Sequence, residues 1–134
     1  MKTARGDELI AKQMLMQEAS ILIKLRHNNL VNVFRALNSN NQFYVLMELM
    51  DAGPLSNFIN NHTTQRGMIP ERFCRFILLQ IAKGLYHVHS MNVLHRDIKS
   101  ENILLGSRGE VKLADFGFSK RYNRGSERYT KVGT

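Results

Sequence analysis

Apolar residues recur at spacings of four, four, four and three through the middle of the chain: Phe73, Ile77, Ile81, Leu85 and Val88. This spacing predicts a helix, and Pro70 suits its first turn. Phe76, Leu78 and Leu79 widen the apolar stripe, so we expect the helix to be buried on most sides. Cys74 lies in the same stretch and is predicted to be a buried structural thiol rather than a nucleophile.

A second helical pattern lies near the start of the chain. Ile10, Met14, Leu22 and Leu25 recur at helical spacing and predict a helix over about 7–26. Glu18 falls in a gap of this stripe, where a carboxylate is costly unless it has a partner. The residues alone favour a position for Glu18 at the edge of the face, where it reaches water.

Shorter patterns predict two hairpins. Residues 30–37 and 42–48 read as strands joined by the polar turn 38–41. Residues 103–105 and 110–113 read as a second pair around a turn at 106–109.

Between the hairpins, we expect a short helix over 55–60 and a polar loop over 62–68. The polar stretch 118–134 contains two glycines and is expected to be mobile.

Composition narrows the class of protein. The chain has 134 residues, of which 43% are hydrophobic and 22% charged, which is typical of one globular domain. The net charge of +8 is not gathered in one stripe and no nucleic-acid motif occurs, so no nucleic-acid partner is expected. No apolar run is long enough to span a bilayer, and the single cysteine fits a reducing compartment. We therefore expect a cytoplasmic protein with no membrane partner.

Polar residues with chemical potential cluster after the long helix. Within the loop 95–102, Asp97, Lys99 and Asn102 offer a carboxylate, an ammonium and an amide. A second carboxylate, Asp115, follows thirteen residues after Asn102. The intervening hairpin could bring Asn102 and Asp115 together as oxygen ligands for Mg²⁺.

The two motifs His-Arg-Asp-Ile-Lys-Ser-Glu-Asn (95–102) and Asp-Phe-Gly (115–117) resemble the catalytic motifs of eukaryotic protein kinases. Ile98 replaces the usual leucine, and the order and spacing otherwise match. The resemblance covers essentially the whole chain but only the middle of the family's domain. It implies an α+β, two-lobed, truncated kinase-like fold. Residues 1–50 would be part of the N-terminal lobe through the hinge, and 51–134 part of the C-terminal lobe up to the activation segment.

The resemblance implies catalytic roles. Asp97 would be the base that accepts the substrate hydroxyl proton, and Asn102 and Asp115 would hold Mg²⁺. Lys99 would contact the γ-phosphate, as in serine/threonine kinases. Arg96 would bind a phosphate on the activation loop.

Further positions resemble the family's ATP site. Met47 would be the gatekeeper, Glu48 and Met50 would present backbone groups to adenine, and Leu104 would pack under the adenine ring. Plain core packing is the alternative for Met47 and Leu104.

The start of the chain resembles the family's helix C and the strand before it. Glu18 would pair with the ATP-binding lysine of that strand, and Lys2 lies at a usual family spacing from it. The alternative is that Lys2 is an ordinary residue after an initiating methionine. Leu22, His95 and Phe116 would form a hydrophobic stack.

Two threonines resemble regulatory positions. Thr130 would be an activating phosphorylation site, with a solvated loop threonine as the alternative, and Thr134 resembles the threonine that marks serine/threonine specificity.

Two hypotheses follow from the resemblance. The first is a serine/threonine kinase, of the Ste20-related or NIMA-related group, that transfers phosphate from Mg²⁺-ATP to protein substrates. The second is a catalytically inactive, kinase-derived binding module. No Gly-rich phosphate loop and no Ala-Pro-Glu motif occur within these residues, so we expect the 134 residues alone to be inactive.

Overall fold

The computed structural model describes residues 20, 23–39, 42–116 and 119–121. Most of the predicted first helix therefore lies outside the described residues. Residues 20 and 23–24 are helical, in agreement with the prediction for its last part.

The first predicted hairpin is confirmed. Strands β1 (Val33–Ser39) and β2 (Gln42–Met47) pair antiparallel, with an irregularity in register near Arg35. The predicted boundaries were shifted, because β1 begins three residues later than expected and includes Asn38, which had been assigned to the turn. Leu30 instead forms an isolated parallel bridge with Leu113, through bonds of Leu113 to its neighbours Asn29 and Val31.

After β2 the chain forms the short strand β3 (Gly53–Pro54) and helix α1 (Leu55–Arg66). The predicted loop over 62–68 is wrong for its first five residues, because α1 continues to Arg66. Thr63 and Thr64 donate their hydroxyls to the carbonyls of Ile59 and Asn60 at 2.8 Å. These bonds to the preceding turn satisfy polar side chains without breaking the helix.

The longest element is helix α2 (Glu71–Ser90), as its periodicity predicts. Its buried face consists of Ile77, Ile81, Gly84 and Val88. A Cβ at Gly84 would lie 2.8 Å from the carbonyl oxygen of Asn29, a separation that backbone atoms cannot tolerate. The glycine therefore allows α2 to pack closely against the segment that precedes β1.

Two expectations for α2 were wrong. Phe76, Leu78 and Leu79 are exposed among the described residues, so the helix is covered on one face rather than on most sides. Cys74 is also exposed. The ring of Phe73 stacks on that of Phe58 of α1 with centroids 4.6 Å apart. Cys74 is the next residue and lies about 100° further around the helix.

The second predicted hairpin is also confirmed. A single 3₁₀ turn (Ser100–Asn102) leads into β5 (Ile103–Leu105), which pairs with β6 (Val111–Leu113) and, on its other edge, with β3. Of the stretch predicted to be mobile, β7 (Lys120–Arg121) pairs with β4 (Val93–Leu94), which contradicts the expectation for these two residues. Residues 118 and 122–134 lie outside the described residues.

The core lies between α2 and the β3–β5–β6 sheet. Its most deeply buried side chains are Leu30, Leu113, His95, Val88 and Val93. The presence of a histidine in this group marks the point where the core meets the polar loop. None of the helices in the described part of the chain has the length and apolarity needed to cross a membrane.

Candidate active site

His95 anchors the loop that follows β4. It is 1% exposed, and its Nε2 donates to the carbonyl oxygen of Ala114 at 2.9 Å, whereas its Nδ1 accepts from the backbone N–H of Asp97 at 3.3 Å. Burial lowers the pKa of His95, and the bond to Ala114 and the charges of Asp115 and Asp97 only partly oppose this effect. A neutral ring with one donor and one acceptor satisfies both contacts, so His95 ties the two motif loops together.

Asp97, Lys99 and Asn102, which the sequence places in one loop, contact one another. Asp97 is buried, and its Oδ2 is 2.9 Å from Lys99 Nζ and accepts from Asn102 Nδ2 at 2.8 Å. The same amide nitrogen donates to the backbone carbonyl of Asp97 at 2.9 Å. Hydrogen bonding to Asp97 raises the pKa of Lys99, which keeps the ammonium charged. The carboxylate is therefore held in one orientation by two donors.

The second motif lies directly beside the first. The N–H of Ala114 donates to the carbonyl oxygen of Asn102 at 2.8 Å, so Asp115 follows a residue bonded to the backbone of Asn102. Asp115 and Arg96 both adopt positive φ, at 56° and 69°. Such backbone is costly for residues with a Cβ and occurs often at functional sites. Both residues are themselves members of the predicted site.

A contact between two rings joins the two motif loops. The rings of His95 and Phe116 have centroids 4.6 Å apart, and Phe116 is 4% exposed. These are two members of the predicted hydrophobic stack. Leu22, its third member, lies outside the described residues.

The predicted adenine-binding segment directly follows β2. Met47 is the last residue of β2 and is 47% exposed. Glu48 and Met50 are half-buried. The N–H of Glu48 donates to the carbonyl oxygen of Asn32 at 3.0 Å, and the carbonyl of Met50 accepts from Gly53 at 3.2 Å.

Leu104 is half-buried at the centre of β5, and its partner in the register with β6 is Lys112. Sequence reasoning missed Lys112. Its Nζ lies 2.7 Å from Oε1 and 2.8 Å from Oε2 of Glu48. The only available signal was the position of Lys112 between two apolar residues of a short strand, Val111 and Leu113. Its partner Glu48 lies 64 positions away, so local sequence could not identify it.

Four predicted site residues lie outside the described residues: Lys2, Glu18, Thr130 and Thr134. Arg96 lies within the 95–102 loop and is half-buried. The roles of these five residues, like those of the other predicted site residues, stay predictions.

The chemistry of the site fits a magnesium nucleotide. Both bonds from Asn102 to Asp97 are donated by its amide nitrogen, so they do not occupy its amide oxygen. That oxygen and the carboxylate of Asp115 are the type of ligand that Mg²⁺ takes, with water and phosphate completing its shell. The described residues contain no group of three or more His, Cys, Asp or Glu side chains that would make a dedicated protein cage.

Comparison with known sequences agrees with this geometry. The family model described as the protein kinase domain matches residues 1–134. The chain belongs to the protein kinase family. Members of this family use ATP and Mg²⁺, and the truncated α+β fold is that of part of a kinase domain.

Relatives of this kinase chain include the serine/threonine-protein kinases CLA4 of Saccharomyces cerevisiae, STE20 of Yarrowia lipolytica and shk2 of Schizosaccharomyces pombe. They are 36%, 38% and 36% identical to it over 92% of its length. The chain spans only 15%, 11% and 20% of these proteins. The similarity therefore describes a part of a kinase domain and supports the Ste20-related group among the two that the sequence suggested.

Proposed function

We propose that the complete kinase transfers the γ-phosphoryl group of Mg²⁺-ATP to serine or threonine hydroxyls of protein substrates. The observation that carries this proposal is the buried carboxylate of Asp97, fixed by Lys99 and Asn102 at 2.9 and 2.8 Å. Phosphoryl transfer depends mainly on positioning and on neutralising charge, and a fixed carboxylate next to an ammonium supplies both.

In this mechanism Asp97 orients the substrate hydroxyl and accepts its proton. Lys99 neutralises charge on the γ-phosphate, and its presence beside Asp97 is the feature that favours serine and threonine substrates. Asn102 and Asp115 hold Mg²⁺, which when bound neutralises charge on the phosphates.

The adenine base would bind at the segment that follows β2. We propose that the backbones of Glu48 and Met50 contact the edge of adenine, with Met47 as gatekeeper and Leu104 below the ring. This arrangement divides the chain into a partial N-terminal lobe over 1–50 and a partial C-terminal lobe over 51–134.

Regulation would involve the remaining predicted residues. In this proposal Glu18 pairs with the ATP-binding lysine, for which Lys2 is the candidate. Arg96 binds a phosphate on Thr130, and Thr134 lies near Asp97 and Lys99.

The deciding experiment is Asp97→Asn in the full-length protein. Loss of the base should lower kcat by ~10²–10⁴-fold in a radiolabelled phosphate-transfer assay. The substitution keeps the size of the side chain and an oxygen that can accept from Asn102, so the midpoint of urea unfolding should hardly change. Unchanged kcat in a folded variant would remove Asp97 as the base. Absence of transfer by the wild-type protein would instead favour the inactive binding module.

A further inference from the structure

We propose that Lys112 is a positioning residue for adenine, which holds Glu48 at a fixed place relative to the strand that carries Leu104. The inference rests on the proposed function, because it takes the backbone of Glu48 and the side chain of Leu104 as adenine contacts. It adds a residue that the catalytic motifs do not include.

The contacts of Glu48 are unusually complete. Its Oε1 accepts from Lys112 Nζ at 2.7 Å and from the N–H of Asn32 at 2.7 Å. Its Oε2 accepts from Lys112 Nζ at 2.8 Å and from Asn32 Nδ2 at 3.2 Å. Each carboxylate oxygen thus accepts two bonds, which matches its capacity of two lone pairs. A side chain bonded in this way has one orientation.

Partial burial makes this ion pair different from an ordinary surface pair. The side chains of Lys112 and Glu48 are 12% and 20% exposed, against 76% and 78% for the Arg75–Glu71 pair on α2. Burial by itself opposes the charged form of Glu48, but the bonds from Lys112 and Asn32 outweigh it and lower the pKa of the carboxyl. Exposed pairs contribute little because water and salt screen them. The Lys112–Glu48 pair is largely protected from that screening.

The register of β5 and β6 connects this pair to the adenine site. Leu104 and Lys112 are direct cross-strand partners. Partners in an antiparallel pair project from the same face of the sheet. Lys112 therefore lies on the same sheet face as Leu104, which would support the adenine ring. It also binds Glu48, the first residue of the segment that would contact the edge of adenine. The distance between these two surfaces determines whether a planar ring fits.

The far end of the same segment is attached to the same strands. The N–H of Ala52 donates to the carbonyl of Leu105 at 3.1 Å, and Asp51 accepts from the N–H and hydroxyl of Ser107 at 2.7 and 2.6 Å. Residues 48–52 are thus held at both ends by the β5–β6 pair. Only the end held by Lys112 combines charge with burial.

The first test compares the ATP kinetics of Lys112 variants of the full-length protein. Lys112→Met keeps the aliphatic chain and removes the charge, and it should raise KM for ATP by roughly five- to thirty-fold with kcat within about two-fold of wild type. Lys112→Arg keeps a charged donor and should recover most of the lost affinity. Arg75→Met removes the exposed pair on α2 and serves as the matched control, with unchanged KM. A fall in kcat at constant KM, or an unchanged KM, would overturn the proposal.

The second test uses hydrogen exchange and does not depend on turnover. In the nucleotide-free full-length protein, Lys112→Met should accelerate amide exchange in residues 48–52 and leave α2 unchanged. Unchanged exchange in 48–52 would overturn the role of Lys112 even if the kinase is active. If wild-type protein neither bound ADP in titration nor transferred phosphate, the proposed function itself would fail, and the adenine role of Lys112 with it.

Discussion

The chain passes twice between the β1–β2 hairpin and the rest of the molecule, and the two crossings differ in burial. The first crossing, residues 29–32, contains Asn29, Leu30 and Val31, all between 0% and 7% exposed. In the second crossing, residues 48–52, Leu49 is 88% exposed and Asp51 is exposed as well. The two connections therefore hold the hairpin by different means.

The first crossing is part of the core. Its backbone exchanges bonds with β6, from Val31 N–H to Leu113 O at 3.0 Å and from Leu113 N–H to Asn29 O at 2.9 Å. The amide of Asn29 adds bonds to Gln80 at 2.7 Å and to the Val111 carbonyl at 3.0 Å. The second crossing instead depends on directed polar contacts at its two ends. Loss of one of these polar contacts would therefore change the position of the segment while leaving the core intact.

The largest expected difference comes from the same substitution in each crossing. Leu30→Ala should lower the free energy of unfolding by about 2–5 kcal/mol, because Leu30 is fully buried and the truncation leaves a cavity. Leu49→Ala should change it by less than about 0.5 kcal/mol, because the side chain already lies in water. Both changes can be measured by urea unfolding of the full-length protein, monitored by far-UV circular dichroism. Equal losses would show that the two crossings do not differ as their burial indicates.

The same contrast explains which parts of the fold could be predicted. The spacing of Ile77, Ile81 and Val88 places them on one face, so α2 was predictable from local pattern alone. Periodicity identifies an apolar face but not what covers it, and for this reason the expectations for Cys74 and Phe76 were wrong.

Local composition also misled the prediction for α1. The polar composition of residues 62–66 is typical of a loop, and these residues have no apolar spacing that would indicate a helix. They are nevertheless helical, because threonine hydroxyls can bond to carbonyls of the preceding turn without breaking the helix.

The contacts of the candidate site also differ in how far the sequence could predict them. The Asp97–Asn102 contact spans five positions and belongs to a motif, so it was predictable from the resemblance. The Lys112–Glu48 contact joins residues 64 positions apart and depends on how the hairpin docks on β6. No local pattern carries that information.

An effect of intermediate size is expected for the pH dependence of stability, from a histidine at the edge of the first crossing. The ring of His27 stacks on that of His87 with centroids 5.0 Å apart. Burial, together with His87 and Lys83, lowers the pKa of His27 below its usual value of 6.5. Because the unfolded chain then binds a proton more readily than the folded one, stability should decrease as pH falls below about 6.5 and level off below the folded pKa.

Substitution at His87 isolates this contribution. His87→Phe keeps a stacked ring and removes the electrostatic contribution of His87 to the lowered pKa of His27, so the loss of stability between pH 7.5 and 5 should become smaller than in wild type. The measurement is urea unfolding across that range, with His89→Phe on the exposed part of α2 as the control. A steeper or unchanged acid loss in the His87 variant would contradict the coupling.

The smallest effect is expected at the exposed end of the second crossing. The bonds from Ser107 lower the pKa of Asp51, but the carboxylate is fully exposed and water competes for the same contacts. Asp51→Asn keeps one acceptor oxygen, so KM for ATP should stay within about two-fold of wild type, well below the change expected for Lys112→Met. Measuring both variants in one assay compares the two ends of the segment directly. If Asp51→Asn raised KM as much as Lys112→Met, burial would not explain which contact positions the segment, because both ends would then contribute equally despite their different exposure.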